Sequence, residues 1–183
     1  PYFDGDSGNF QKENDSIQYG NLMQFDVENH FLYSNNNSFG NHLKAKFRPF
    51  QYFYVQADYR ELLEKNMLTN HFSNLSLFQF NVAYDRIRFK KFNLGWTLGA
   101  TYVGNDVQKV GFSYGLHTDI FAIKNISFNS AMLWSKINGL PVNSFELRGK
   151  YHKKNYFFSL GYEHLKIASP NYNFVTLGTG IYF

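Results

Sequence analysis

From residue 21 onward the chain repeats one device: an apolar residue, then a polar or small one, then an apolar one again. Met23, Phe25 and Val27 alternate with Gln24, Asp26, Glu28 and His30, and Leu43, Ala45 and Phe47 alternate with His42, Lys44, Lys46 and Arg48. Phe53, Val55, Ala57 and Tyr59 then face away from Gln56, Asp58 and Arg60, and Phe78, Phe80, Val82 and Tyr84 from Gln79, Asn81 and Asp85. The longest run places Phe92, Leu94, Trp96, Leu98, Ala100 and Tyr102 against Asn93, Gly95, Thr97, Gly99 and Thr101. Five further segments follow, carried by Phe112 to Ile120, Ile126 to Trp134, Phe145 to Tyr151, Tyr156 to Tyr162 and Val175 to Phe183. Side chains along a strand alternate between two faces, so period two sustained this long predicts ten half-buried antiparallel strands. In the fourth segment Leu75 and Leu77 fall out of phase with Phe78 and Phe80, which predicts a bulge there.

The links between segments differ in kind. Ser34 to Gly40, Leu62 to Phe72, Asn105 to Lys109, Asn138 to Ser144 and Lys166 to Asn171 read as long and polar. Those at Arg48-Pro49-Phe50, Ile87 to Lys91, Ala122 to Asn125 and Lys153-Lys154-Asn155 read as tight. Residues 21–183 divide into roughly 16 per strand and link, which suits tilted membrane strands of about 9–11 residues. Ten strands fit this length best, with eight as the alternative. Residues 1–20 stand apart as a polar N-terminal segment.

The final residues, Leu177-Gly178-Thr179-Gly180-Ile181-Tyr182-Phe183, place an aromatic last, an apolar residue two before it and Gly five before it. With the dyad pattern and the uneven links, this ending resembles the small β-barrels of the Gram-negative outer membrane. The resemblance implies a closed up-and-down transmembrane barrel in the cell outer membrane, exported and with its signal peptide already removed. It implies Gly178, Ile181 and Phe183 as an insertion signal read by the barrel-assembly machinery, with lipopolysaccharide and phospholipid as surrounding lipids. The alternation by itself also admits a soluble lipocalin-like barrel, apolar inside. The many Gly residues on the polar face argue against that arrangement.

With the apolar face outward, the polar face lines a lumen. It carries Asp26, Glu28, Asp58, Asp85, Asp119, Glu146 and Glu163 against Lys44, Lys46, Arg48, Arg60, Arg148 and Lys150. A first hairpin folded about residue 37 sets Asp26 opposite Arg48 and Glu28 opposite Lys46. A second folded about residue 50 sets His42 opposite Asp58. Opposite charges paired across strands in so narrow a lumen predict a filled, constricted interior, and inward glycines leave room for long side chains. The expected lumen network is Asp26, Glu28, His42, Lys46, Arg48, Asp58, Glu146 and Arg148.

Composition sharpens the picture. Aromatics make up 20% of the 183 residues and charged residues 17%, unlike a disordered chain. The longest apolar runs are four residues, far short of the about 20 that a membrane helix needs. There is no Cys, which removes disulfides and thiolate metal sites. The net charge of +4 is modest, and the aromatics are accounted for as girdles at the two membrane interfaces, so nucleic acid is not an expected partner.

The strands and links carry few groups suited to catalysis. Barrel lipid-A deacylases carry a His-x-Ser-Asn segment, whereas Ser34-Asn35 here has His30 four residues before the Ser. His117 and Asp119 share a face of the sixth segment and are expected to serve as lumen hydrogen-bonding groups. Neither metal spacing nor a cofactor site emerges. Asp4-Gly5-Asp6-Ser7-Gly8-Asn9 with Asp15 is similar to a calcium loop, but Gly8 stands where an oxygen ligand belongs and Asn9 where Gly is needed. Arg48, Arg86, Arg88, Lys90, Lys91, Lys124, Lys153 and Lys154 collect at the tight-link end, a ring suited to anionic headgroups. Ser130, Gly149 and Thr179 interrupt the lipid-facing belt and are the expected approach for a larger membrane protein complex. The functional expectation is a non-enzymatic structural or accessory subunit, or a surface-binding protein. A narrow channel and a lipid-modifying enzyme are the alternatives.

Overall fold

The computed structural model describes residues 23–35, 38–50, 52–65, 72–89, 91–105 and 107–183. The N-terminal segment with its Asp4 to Asp15 motif, and Lys90, lie outside the described residues. Ten strands form: β1 (Gln24–Ser34), β2 (Ser38–Arg48), β3 (Phe53–Lys65), β4 (Phe72–Phe89), β5 (Phe92–Val103), β6 (Lys109–Ile123), β7 (Ile126–Ile137), β8 (Leu140–Lys153), β9 (Tyr156–Ile167) and β10 (Asn171–Tyr182). Each pairs antiparallel with its sequence neighbours, and β10 returns to β1, closing the wall. Closure satisfies every strand edge, the condition for a sheet to cross hydrocarbon.

The dyad pattern sorts the side chains as expected. Outward positions include Phe31, Phe80, Phe112, Leu160 and Leu177, all more than half exposed. They form the apolar belt of a transmembrane barrel. Aromatic rows cross the strands within it, one running Tyr59, Phe78, Tyr102 and another Phe53, Tyr84, Trp96, with successive ring centroids 4.5 to 6.1 Å apart. Inward positions are buried, and most are polar or charged.

Three expectations about detail are corrected. The bulge in β4 falls between Asp85 and Ile87, and Leu75 and Leu77 keep phase with the inward face. They point inward because the lumen is apolar at that height. The first two hairpins are each shifted by two residues from the expected register: Asp26 pairs with Lys46, Glu28 with Lys44, and Asp58 with Lys44. A shift of two keeps every side chain on its face, whereas a shift of one would have turned the charges to lipid. The links expected to be long at β1–β2, β7–β8 and β9–β10 are shorter, because those strands run on past the belt, whereas the β5–β6 link, 104–108, is as long as expected. β7 and β8 meet through Asn138-Gly139, with φ of 52° and 79°, the conformation of a type I′ hairpin turn.

That turn carries a testable consequence. Gly139→Val puts a β-branched residue in the left-handed region and is expected to cost about 1–2 kcal/mol. Ala168→Gly, at φ 57°, relieves the same strain and is expected to gain up to about 1 kcal/mol. Urea unfolding of the lipid-embedded barrel, followed by heat-modifiable gel migration, measures both.

Candidate functional site

The lumen is filled in three layers. At the end where β1 finishes and β2 begins, Leu32, Leu62, Leu165 and Phe174 form one buried apolar cluster and Leu77, Val103, Ile137 and Val142 a second. Leu75 and Ile167 pack against both and join them into one lid. At the opposite end Tyr54, Phe121, Phe157 and Tyr182 are buried. Tyr54 there lies under Arg48 and Lys46, whose charged heads stand 4.7 and 4.6 Å from its ring centre. Between the apolar lid and this mixed end lies the main layer of charge.

Arg60 is the hub of that layer. It rises from β3, and β8, which carries Glu146, is the strand farthest from β3 around the ten-strand ring. Its Nε donates to Glu163 Oε1 at 2.5 Å, its Nη1 to Gln79 Oε1 at 2.5 Å, and its Nη2 to Glu146 Oε1. Arg148 ties the same two carboxylates from the other side, at 2.8 Å to Glu146 and 2.9 Å to Glu163. Lys44 donates to Glu146 at 2.7 Å, and His42 bridges Asp58 and Glu163 at 3.0 Å each. Every one of these groups is buried, so each charge is stable only because its partners replace water.

Two smaller clusters flank the hub. Lys150 donates to Glu28 at 2.6 Å, and Glu28 meets His30 Nε2 at 3.1 Å, whose Nδ1 meets Ser159 Oγ at 3.0 Å. Nearer the tight-turn end, Asp85 accepts from Arg48 at 2.6 Å and from His117 at 2.7 Å, with Arg88 at 3.6 Å.

The glycines make this packing possible. Gly178 is paired with His30, whose imidazole occupies the place a Cβ on Gly178 would take, and Gly95 stands in the same relation to His117. A bulky inward residue thus lies flat over a glycine on the next strand.

The expected network residues are all inward, but several have other partners. Arg48 pairs with Asp85 rather than Asp26, and Glu28 with Lys150 rather than Lys46, following the two-residue register shift. Asp26 accepts from Gln24 at 2.7 Å. His42 still reaches Asp58, now as a diagonal neighbour. Arg60 and Glu163 were inward in the pattern but not distinguishable as the hub, because alternation fixes a face and not which side chains meet across the lumen. His117 turns to Asp85, while Asp119 accepts from Asn129. Of the expected basic ring, Arg48 and Arg88 are withdrawn into the lumen, and Arg86, Lys91, Lys124, Lys153 and Lys154 remain exposed.

On the wall, Gly178 faces inward, whereas Ile181 and Phe183 face outward, and Phe183 closes the last rung with Phe25 through two backbone hydrogen bonds. Ser130 and Gly149 are diagonal neighbours on β7 and β8. Thr179 is not brought to them, since Phe158 and Leu160 of β9 stand between. The Phe128 ring also covers Gly149, 3.5 Å from where a Cβ would stand.

Two arrangements invite chemical readings. Ser159, His30 and Glu28 form a hydroxyl, imidazole and carboxylate chain resembling a hydrolase triad. All three are buried, on strands closed at both ends, so an ester has no approach to Ser159. His42, Asp58 and Glu146 present ligand atoms within 4.8 Å of one another. Lys44 Nζ already lies 2.7 Å from Glu146 and 3.6 Å from Asp58, supplying the positive charge itself.

A closed, even-stranded antiparallel wall with its apolar face outward and a polar interior is the architecture of outer-membrane barrels. This chain is a closed, ten-stranded antiparallel β-barrel with its apolar face turned outward, as in a membrane-spanning wall. No protein-family model matches the sequence, and no curated protein matches it. Among solved structures it is similar to the KdgM porin in complex with disordered oligogalacturonate, at 10% identity and a TM-score of 0.47 over 87% of this chain and 99% of that one. An outer membrane channel from Pseudomonas putida F1 matches at 8% identity and 0.47, covering 88% and 95%. Ail, the attachment invasion locus protein of Yersinia pestis, matches at 13% identity and 0.37, covering 88% and 96%.

The hub sets a stability expectation. Glu163→Gln leaves Arg60 and Arg148 short of a buried counter-charge and is expected to destabilise the barrel by about 3–5 kcal/mol. Glu61→Gln, on the outer wall near the rim, is expected to change stability by less than about 0.5 kcal/mol. Urea titration of both variants in one lipid composition makes the comparison.

Proposed function

We propose that the protein is a sealed, non-conducting barrel that works through its outer surfaces, as a structural or accessory subunit of the outer membrane. The observation that carries this reading is the filled lumen: an apolar lid closes one end, Tyr54, Phe121, Phe157 and Tyr182 crowd the other, and a dense ion-pair network lies between. Two voids among the inward side chains measure about 40 and 20 Å³, room for roughly one to three water molecules in the larger. A solute passing through must part Arg60 and Arg148 from Glu146 and Glu163, leaving buried charges unpaired. Binding by extended surface loops has less support at β7–β8 and β9–β10, whose described connections are only Asn138-Gly139 and 168–170.

A narrow channel is the second reading. What favours it is that the two voids share Glu28, Lys46, Asp119, Asn129 and Lys150, so one charged, wettable space extends through the lower lumen. The apolar lid of Leu32, Leu77, Ile137 and Phe174 separates that space from the other end.

Planar-bilayer recording discriminates the two. The sealed barrel is expected to give no steady current across the physiological voltage range. A stable ohmic conductance from the purified wild-type protein overturns the sealed reading in favour of the channel.

A further inference from the structure

The lipid-facing wall has a polar interruption at the seam where the barrel closes. Asn29 is the central outward residue of β1, and Thr179 faces outward beside it on β10. Val27 and Phe31 flank the first along its strand, and Leu177 and Ile181 the second. The two are directly paired, and their other cross-strand partners are Leu43 and Phe158. A carboxamide and a hydroxyl therefore stand side by side at mid-depth, ringed by apolar side chains. Both residues are exposed, and among the described residues neither side chain has a hydrogen-bond partner.

At two other places the wall answers a polar or small position from within, although outward Asn41 and Ser130 also have no side-chain hydrogen bond among the described residues. The Thr118 hydroxyl donates to the Asn93 carbonyl at 2.8 Å, and the Phe128 ring covers Gly149. Nothing comparable serves Asn29. An amide facing hydrocarbon without a partner is costly, and the cost is relieved when another polar group meets it across a contact within the membrane.

We propose that the β1–β10 seam is a lateral contact surface and that its occupant is a second copy of this chain, related by a two-fold axis along the membrane normal. A carboxamide has two donor hydrogens and an oxygen with two lone pairs, so Asn29 is complementary to its own copy. The residue on the axis of an isologous interface must be so. Thr179 lets the two walls approach and adds a hydroxyl to the contact. Phe31, Leu43, Phe158 and Leu177, all exposed around the pair, supply the apolar rim. The contact uses the lipid face alone and stands whether the lumen is sealed or conducting.

The chain has no Cys, so a single introduced thiol reports cleanly. In native membranes under mild oxidation, Asn29→Cys is expected to give a disulfide-linked dimer, and Leu98→Cys, outward on the opposite wall, is expected to give none. In sedimentation of the detergent-solubilised protein, wild type is expected to dimerise, and Asn29→Leu to weaken the dimer about tenfold. Heat-modifiable migration checks that each variant is folded. Three results overturn the proposal: a wild type that is monomeric and an Asn29→Cys variant that does not cross-link, a dimer unaffected by Asn29→Leu, or cross-linking through Leu98→Cys. A cross-link from Asn29→Cys to a different protein assigns the surface to another occupant and overturns it equally.

Discussion

The rest of the molecule depends on the tie that Arg60 makes across the lumen. A ten-stranded ring leaves an interior that its own side chains must fill or surrender to water. Here the filling begins with one guanidinium that spends all three nitrogens on Gln79, Glu146 and Glu163, reaching from β3 to the far side of the barrel. Arg148 returns the tie from β8. Fork geometry makes this possible, because arginine can hold two carboxylates at fixed angles where lysine offers a single point charge. The remaining charges take positions that this pair leaves open.

A buried charge network is poor as a source of stability, since desolvation offsets most of the Coulomb gain. It is strong as a specifier of structure. Any slip in strand register leaves at least one of Arg60, Arg148, Glu146 or Glu163 buried without a partner, so the network penalises wrong closures more than it stabilises the right one. The apolar ends act with it. Leu32, Leu62, Leu77 and Phe174 at one mouth and Phe121, Phe157 and Tyr182 at the other narrow the space left for water around the charges, which strengthens each pair. The glycines at 95 and 178 belong to the same design, each giving an imidazole on the next strand a surface to lie on.

Much of this was legible in the sequence because alternation is a local signal. Period two placed Asp26, Glu28, His42, Asp58, Glu146 and Arg148 on one face, and the strand count followed from segment length. What alternation does not encode is distance across the ring. Arg60 and Glu163 are 103 residues apart, and no local pattern marks them as partners. Register was missed by two residues in the first two hairpins, since any even shift satisfies the pattern equally. The apolar lid was also hidden: Leu75 and Leu77 read as out of phase on the assumption that every inward residue is polar. Asn138-Gly139 is a sequence signal for a tight turn, obscured by Pro141, Asn143 and Ser144 inside β8, which read as a continuing link.

Sealing is the central claim, and solvent access to the middle of the lumen tests it most directly. Ser113 is fully buried there, donating to Asn81 at 3.0 Å. In the otherwise thiol-free chain, Ser113→Cys is a near-isosteric reporter. The thiol is predicted to resist a small, charged, water-soluble alkylating reagent applied to either side of a reconstituted membrane, and to react fully once the barrel is unfolded. Labelling of the folded barrel at the rate of an exposed thiol, from either side, contradicts the account.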